Sequence, residues 1–177
     1  EEEEINELKL RYPDKRSKMG DVIFAYEGRD QIKIIHLEKG KSYGNNIGTF
    51  SHESLVNRRY GERIYNKKKD KYFIMLQFLT NIYERCLTRL TQILFNPDIS
   101  LVLSLLNINK DSIIYESGTG SGCLSTNMAQ ILNNGKGHLY TLEFNKERQT
   151  KLNEGFKIFG FENTISCIHR DVIENGF

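Results

Sequence analysis

Two hydrophobic periodicities divide the sequence near its middle. Up to about residue 76, short apolar runs alternate with polar positions and with turn-forming segments at 27–30 and 39–46, a pattern that is typical of β-strands. The pattern predicts strands at residues 20–26, 31–37, 48–50, 62–65 and 72–76. We therefore expect a small barrel-like domain over residues 20–90, preceded by a tail at 1–19.

The second half of the sequence alternates strands with helices. Asn is a favourable N-cap and Pro suits the first helical position, so Asn96-Pro97 predicts a helix to about Leu106. The predicted helix at 145–159 has an apolar face, and Gly160 directly after it suits a helix C-terminus. The full pattern predicts strands at 112–116, 137–143 and 164–169 and helices at 122–132 and 145–159. This order predicts a parallel α/β sheet over residues 91–177, with residues 77–90 as the junction.

Composition narrows the class of protein. The formal net charge is +2, and four of the acids form the run Glu1–Glu4, so the remaining chain is more basic. Like charges in a run repel each other and bury nothing, so we expect a disordered tail there. Three separated cysteines and four histidines without ligand spacing predict neither disulfides nor a metal site. Because no apolar run is long enough to span a bilayer and no signal peptide is recognisable, we expect a soluble intracellular protein.

The most informative segment is Glu116-Ser117-Gly118-Thr119-Gly120-Ser121-Gly122, between a predicted strand and a predicted helix. Glycine at every second position permits positive φ angles and close approach of a ligand, and a helix N-terminus offers free N–H groups. The segment therefore predicts a backbone cradle for a nucleotide-type ligand. A tight turn that binds nothing is the alternative.

Three carboxylates favour S-adenosylmethionine over NAD as this ligand. The dinucleotide fingerprint G-x-G-x-x-G differs from the pattern E-x-G-x-G-x-G that begins at Glu116. Glu143 ends the next predicted strand, where a carboxylate accepts hydrogen bonds from ribose hydroxyls. Asp171 follows the third strand and is placed to reach the adenine edge. Taken alone, each acid is more often a solvated strand-end residue than a ligand, but their order after successive strands strengthens the joint interpretation.

Further segments carry a family resemblance. Leu90-Thr91-Gln92-Ile93-Leu94-Phe95, the glycine segment, Leu142-Glu143-Phe144 and Asp171-Val172 follow one another in this order. From about Gly20 to its end, the sequence closely resembles the catalytic subunits of tRNA (adenine-58-N1)-methyltransferase. The resemblance implies a Rossmann-like class I methyltransferase domain, with only its N-terminal half at 91–177, preceded by a small β-barrel domain that helps to hold tRNA.

The implied reaction transfers a methyl group from S-adenosylmethionine to N1 of the T-loop adenine of tRNA. In the family, the acidic residue that contacts the target base lies in a later D-x-P-x-P-W-type motif, which this sequence lacks. The catalytic residue is therefore unknown, and we expect the 177-residue chain alone to be inactive.

The resemblance also assigns cofactor-binding residues. Gln92 and Phe95 would flank the cofactor, Glu143 would bind the ribose, and Arg148 would lie near the cofactor one helical turn later. Asp171 and Val172 would border the adenine. The loop residues assigned to the cofactor are Glu116, Gly118, Gly120, Gly122, Cys123 and Leu124.

Basic residues of the β domain are the candidates for tRNA binding, since folded RNA is recognised through shape, phosphates and splayed bases. The candidates are Arg58, Arg59, Arg63, Lys67, Lys68 and Lys69. His52 lies in a segment that is near tRNA in the family, and a structural role is equally open for it. A solvated loop is the alternative for the lysine cluster.

The resemblance implies a related non-catalytic subunit as partner, a hetero-oligomer with two of each subunit, and action in the nucleus. Three other functions stay open. A non-catalytic partner subunit of the same fold is disfavoured by the intact glycine segment, and an NAD-linked enzyme is disfavoured by the glycine spacing. The third is an α/β protein that binds RNA without chemistry.

Overall fold

The computed structural model describes residues 15–28, 31–86 and 92–177. The chain divides into two compact units, Glu1–Phe78 and Leu79–Phe177. The predicted domain boundary is between residues 90 and 91. This position falls within residues 87–91, which are outside the described residues. Of the predicted tail, residues 15–19 are described, and the buried Ser17 donates from Oγ to the carbonyl of Leu55 at 2.5 Å.

The first unit is built from antiparallel strands. Four of them pair in the order β2-β1-β6-β5, and β3 and β4 form a separate hairpin. The strands are β1 (Val22–Gly28), β2 (Gln31–His36), β3 (Ser42–Gly44), β4 (Thr49–Ser51), β5 (Arg63–Tyr65) and β6 (Tyr72–Gln77). A 3-10 helix at His52–Leu55 follows β4. The five predicted strands are confirmed with shifted ends, but the predicted turn at 39–46 is wrong where β3 lies.

The hairpin of β3 and β4 covers one face of this sheet. The rings of Tyr43 and Phe50 meet Phe73 edge-on, with centroids 5.9 Å and 5.0 Å away. Strand β3 is short and polar, so its pattern carries no period, and tertiary packing of Tyr43 explains why it forms. The pairings among the described strands give a sheet and a hairpin, and closure into a barrel remains a prediction.

The second unit is an α/β layer with a parallel sheet in the order β7-β8-β9. Its strands are β7 (Ile113–Ser117), β8 (His138–Glu143) and β9 (Ile165–His169). Its helices are α1 (Thr80–Tyr83), α2 (Asn96–Leu105), α3 (Cys123–Leu132), α4 (Lys146–Ile158) and α5 (Val172–Asn175). Parallel neighbours require crossovers, which α3 and α4 supply, so the predicted order of elements is confirmed. The short helix α5 was not predicted.

Two helix ends test the capping rules. The predicted N-cap Asn96 is wrong by one residue, because Phe95 is the N-cap and the Asn96 side chain instead donates to the carbonyl of Asn81 at 2.6 Å. Gly160 ends α4 as predicted, with φ at +77°. Its N–H donates to the carbonyl of Lys157, and the next N–H donates to that of Phe156, which is a Schellman arrangement.

No helix in the described ranges is both long and apolar enough to cross a membrane.

Candidate functional site

An open cleft of about 720 Å³ lies at the carboxyl ends of the three parallel strands. The last residues of β7 and β8 and the residues that follow β7, β8 and β9 line it, together with Arg148 from α4. Ligands of open α/β sheets bind at this edge, because strand ends and helix N-termini converge there. Six of the predicted cofactor residues line the cleft: Gly118, Gly120, Glu143, Arg148, Asp171 and Val172.

The glycine loop forms the floor of the cleft. Gly118 and Gly120 have φ angles of +87° and +60°, a region that L side chains rarely adopt. A Cβ on Gly118 would meet no atom within 4 Å, so the cleft is open beside this backbone. Gly122 is different, since a Cβ there would lie 2.9 Å from Cδ2 of Leu152 and 3.2 Å from the ring of Phe156. Gly122 therefore permits close packing of the loop against α4.

Glu143 is the buried anion of the site, with 3% of its side chain exposed. Its Oε1 accepts from the N–H of Asn145 and from Nη1 of Arg148, both at 2.9 Å. Its Oε2 accepts from the N–H of Gly120 at 3.1 Å. A carboxylate oxygen can accept two hydrogen bonds, so Oε2 keeps one acceptor position for a hydroxyl in the cleft. Arg148 acts on the site by orienting Glu143.

Asp171 lies in the short connection between β9 and α5 and is the N-cap of α5. Its Oδ1 accepts from the N–H groups of Ile173 at 2.9 Å and Glu174 at 3.2 Å, so this carboxylate is an N-cap. The backbone N–H of Arg170 donates to the carbonyl of Glu143 at 3.0 Å, which ties this segment to the end of β8. Val172 therefore borders the cleft next to a fixed carboxylate.

Glu116 lies behind the loop in a network of buried side chains, and it does not line the cleft. Its Oε2 accepts from the hydroxyls of Ser125 and Thr141, each at 2.6 Å. Because Thr141 spends its one hydrogen on Glu116, Thr119 must donate to Thr141 across 2.7 Å. By the same reasoning, the Cys167 thiol donates to Thr119 across 3.6 Å.

Burial raises the pKa of Glu116, against the opposing effect of its two hydroxyl donors. Burial also raises the pKa of the Cys167 thiol to about 11, which keeps it protonated as a donor. The network joins β7, β8, β9 and α3 behind the glycine loop. Glu116 is thus a positioning residue, with no atom at the cleft surface.

The other predicted cofactor residues lie outside the lining of the cleft. Gln92 and Phe95 are exposed on the segment before α2. Cys123 is buried at the start of α3, where burial raises the pKa of its thiol to about 11, and Leu124 is half-buried beside it.

The predicted RNA-binding residues occupy three settings in the first unit. His52 is buried, and its Nδ1 accepts from the N–H of Glu38 at 3.0 Å, which is the geometry of a structural histidine. Arg58 pairs with Glu62 at 2.9 Å, and Arg59 is exposed beside it. The remaining four lie on the β5–β6 hairpin: Arg63, Lys67, Lys68 and Lys69.

Six residues that line the cleft are not among the predicted site residues: Ser117, Leu142, Phe144, Asn145, Arg170 and Ile173. Asn145 had a usable signal, since it is a good N-cap that follows a predicted strand and precedes a predicted helix. Phe144 belongs to the family segment Leu142-Glu143-Phe144, but that segment does not predict its exposure, which depends on how β8 ends. Across the described residues, no group of three His, Cys, Asp or Glu side chains is placed to hold a metal ion.

Sequence comparison identifies the family of this α/β unit. The model of a family described as the tRNA methyltransferase complex GCD14 subunit matches residues 71–177, which is more than half of the chain. The chain belongs to this family. The match includes the whole cleft, so the family resemblance found in the sequence is confirmed.

Relatives of this GCD14-family chain carry consistent names. It is 33% identical over 159 residues to the tRNA (adenine(58)-N(1))-methyltransferase catalytic subunit of Dictyostelium discoideum, covering 90% of this chain and 51% of that protein. It is 31% identical over 166 residues to the catalytic subunit of the same name from Schizosaccharomyces pombe, covering 92% and 45%. The chain spans about half the length of the curated relatives it matches. Both relatives are named as catalytic subunits.

Two solved structures share the fold of this GCD14-family chain. A SAM-dependent O-methyltransferase from Thermotoga maritima superposes with a TM-score of 0.74 at 21% identity, covering 89% of this chain and 58% of that one. A tRNA (m1A58) methyltransferase from Aquifex aeolicus gives a TM-score of 0.66 at 19% identity, covering 90% and 61%. These likenesses show that the chain shares the α/β fold of these two proteins.

Proposed function

We propose that the protein containing this chain is the catalytic subunit of tRNA (adenine-58-N1)-methyltransferase, and that the cleft binds S-adenosylmethionine. The observation that carries the proposal is the cleft itself, in which the glycine loop, Glu143 and Asp171 meet at one sheet edge. Family membership and the names of the relatives support the same function.

The residues of the cleft fit this cofactor. Its volume is within the range of about 300–1,000 Å³ that is usual for small-molecule sites. The open backbone at Gly118 gives room for close approach, and Glu143 Oε2 keeps an acceptor position for a ribose hydroxyl. Asp171 and Val172 would border the adenine. When bound, the cofactor supplies a methyl group on a reactive sulfonium, so the chain needs no nucleophile of its own.

The chain's own residues would hold and orient the reactants. Arg148 and the N–H of Asn145 donate to Oε1 of Glu143 and fix it in place. The N–H of Gly120 donates to the other oxygen, Oε2, and orients it. Because this carboxylate is already fixed, it loses little further freedom when a ribose binds. The target adenine has its N1 edge paired or stacked in folded tRNA, so the base must be extruded before methyl transfer. Positioning of the extruded base against the methyl group would supply most of the rate enhancement.

We further propose that the protein works as a hetero-oligomer, with two copies of each subunit, in the nucleus. The family description, which names a subunit of a complex, supports a partner. Affinity purification of the full-length protein from its own cells tests this assembly, with native mass spectrometry as the readout. Fluorescence microscopy of a tagged copy in the same cells tests the compartment.

Calorimetric titration is the test of the cofactor assignment. S-adenosylhomocysteine, the demethylated product, is titrated into the full-length protein with its partner present, and NADH is the control ligand. We expect the complex to bind S-adenosylhomocysteine and not NADH. In a second assay with S-adenosylmethionine, we expect it to methylate an unmodified tRNA transcript at the T-loop adenine. A folded complex that binds NADH, or neither ligand, would show that the proposed function is wrong.

A further inference from the structure

The outer face of the β5–β6 hairpin carries a pair of exposed tyrosines. Tyr65 and Tyr72 are directly opposite each other across the two strands, with ring centroids 5.3 Å apart. Their neighbours Ile64 and Phe73 are buried in the core, so strand alternation directs both tyrosines outward. The exposed fractions are 46% for Tyr65 and 39% for Tyr72, which leaves ring surface open to solvent.

A cation extends this pair along the same face. Arg63 is two residues before Tyr65, and its guanidinium carbon lies 4.9 Å from the centroid of the Tyr72 ring. A guanidinium at this distance from a ring is held by cation–π attraction, and the Arg63 side chain also hydrogen-bonds to Tyr65. The face therefore combines flat apolar surface with a fixed positive charge.

An open groove of about 710 Å³ adjoins the hairpin within the first unit. Lys67, Lys68 and Asn66 line it from the hairpin tip. The hydroxyls of Ser42, Thr49 and Ser51 also line it, as does that of Ser54, which already donates to the carbonyl of Ser51 at 2.7 Å. Within the described ranges, neither Lys67 nor Lys68 takes part in an ion pair, so both ammonium groups can receive an anion. Ammonium and hydroxyl groups together are donors that suit a phosphate.

The hairpin tip is held in a defined shape. Asn66 donates from Nδ2 to the carbonyl of Ile47 at 3.1 Å and to Oδ1 of Asp70 at 2.7 Å. These bonds tie the tip that carries the lysines to the chain before β4. The distance between the tyrosine face and the groove is therefore set by the fold.

We propose that this surface, formed by Tyr65, Tyr72, Arg63, Lys67 and Lys68, binds an unpaired nucleotide of the RNA substrate. The base stacks on the tyrosine pair, and a phosphate of the same strand lies in the groove. Bases inside a duplex already stack on each other, so only an unpaired base can use these rings. The proposal rests on the proposed function, since tRNA is taken as the RNA.

Binding of the full-length protein to an unmodified tRNA transcript tests the proposal, with affinity measured by fluorescence anisotropy across a salt series. Tyr65→Ala and Tyr72→Ala should each weaken binding by about tenfold or more, because stacking of one base on one ring contributes on that scale. The slope of affinity against salt should not change, since no charge is removed. Tyr65→Phe and Tyr72→Phe keep the rings and should bind within about twofold of wild type. Single-stranded RNA should displace the tRNA better than duplex RNA does.

Unchanged affinity in both alanine variants, or equal competition by duplex RNA, would overturn the proposal. S-adenosylhomocysteine affinity, measured in the same variants, reports whether the second unit is intact. Methyl transfer separates the two proposals. If wild type methylates tRNA and the alanine variants leave KM unchanged, the nucleotide site is wrong and the proposed function stands. If binding depends on the rings but the wild-type complex transfers no methyl group, the nucleotide site stands and the proposed function is wrong.

Discussion

Gly118 and Gly122 both have positive φ angles, of 87° and 75°, but their surroundings differ. Gly118 faces open cleft, whereas Gly122 is packed against Leu152 and Phe156. We expect Gly122→Ala to lower the free energy of unfolding by about 2–4 kcal/mol, from left-handed strain together with overpacking. Gly118→Ala should cost only the strain, about 1–2 kcal/mol, and should reduce S-adenosylhomocysteine affinity at least tenfold. Urea unfolding and calorimetry measure the two effects, and normal affinity in Gly118→Ala would contradict the cradle.

Glu116 should make the stability of the protein depend on pH. Burial raises its pKa in the folded state above the ordinary value, so the folded state holds this proton to higher pH than the unfolded state does. The contribution of Glu116 to stability is then largest at acid pH and falls as the pH rises through the folded pKa. Glu116→Gln keeps an oxygen for Ser125 and Thr141 and removes the titration. Relative to wild type, the variant should gain stability between acid and neutral pH, by about 1.4 kcal/mol for each unit of the shift.

Urea unfolding of both proteins at several pH values measures the difference. Glu154→Gln, on the exposed side of α4, is the matched control and should follow wild type. A wild-type-like pH profile in Glu116→Gln would show that Glu116 is not the group responsible.

At the scale of elements, the N-cap of α4 connects the stability of the helix to the site. Asn145 is the N-cap of α4, where its Oδ1 accepts from the N–H of Arg148 at 2.9 Å, and its own N–H donates to Glu143. Asn145→Ala should lower the free energy of unfolding by about 1 kcal/mol, the usual cost of a lost N-cap. It should also weaken S-adenosylhomocysteine binding, because the cap fixes the turn that holds Arg148 against Glu143. Asn145→Ser keeps a capping oxygen and should restore both quantities in thermal unfolding and calorimetry.

The elements that could be predicted from sequence are those whose pattern is local. The strands β7, β8 and β9 and the helices α3 and α4 each have a clear period, and Gly160 is a local stop signal. Strand β3 was missed because it depends on Tyr43 packing against Phe73, which is a distant contact along the chain. The Asn96 cap was wrong because the side chain found a partner in Asn81, outside its own helix.

At the scale of the whole molecule, sequence order predicted which groups gather in the cleft, because parallel strands end at one edge. Gly118, Glu143 and Asp171 meet there for that reason. The order could not predict that Glu116 turns behind the loop, since that depends on the hydroxyls of Ser125 and Thr141 from two other elements. The same limit applies to Tyr65 and Tyr72, whose pairing depends on the register of β5 against β6.

The salt dependence of tRNA binding tests the basic hairpin as part of the whole protein. Lys67 and Lys68 line the groove, so the double variant Lys67→Ala/Lys68→Ala should weaken tRNA binding. Each phosphate contact to a single strand contributes about 0.7 to the slope of log affinity against log salt. The loss of two contacts should therefore lower the magnitude of this slope by roughly 1.4. Lys151→Ala/Lys157→Ala removes the same charge from exposed positions on α4 and is the control for net charge. Neither of these lysines lines the groove, so the slope of this variant should match wild type. If the two double variants behave alike, the hairpin lysines form a solvated loop and the phosphate contact lies elsewhere.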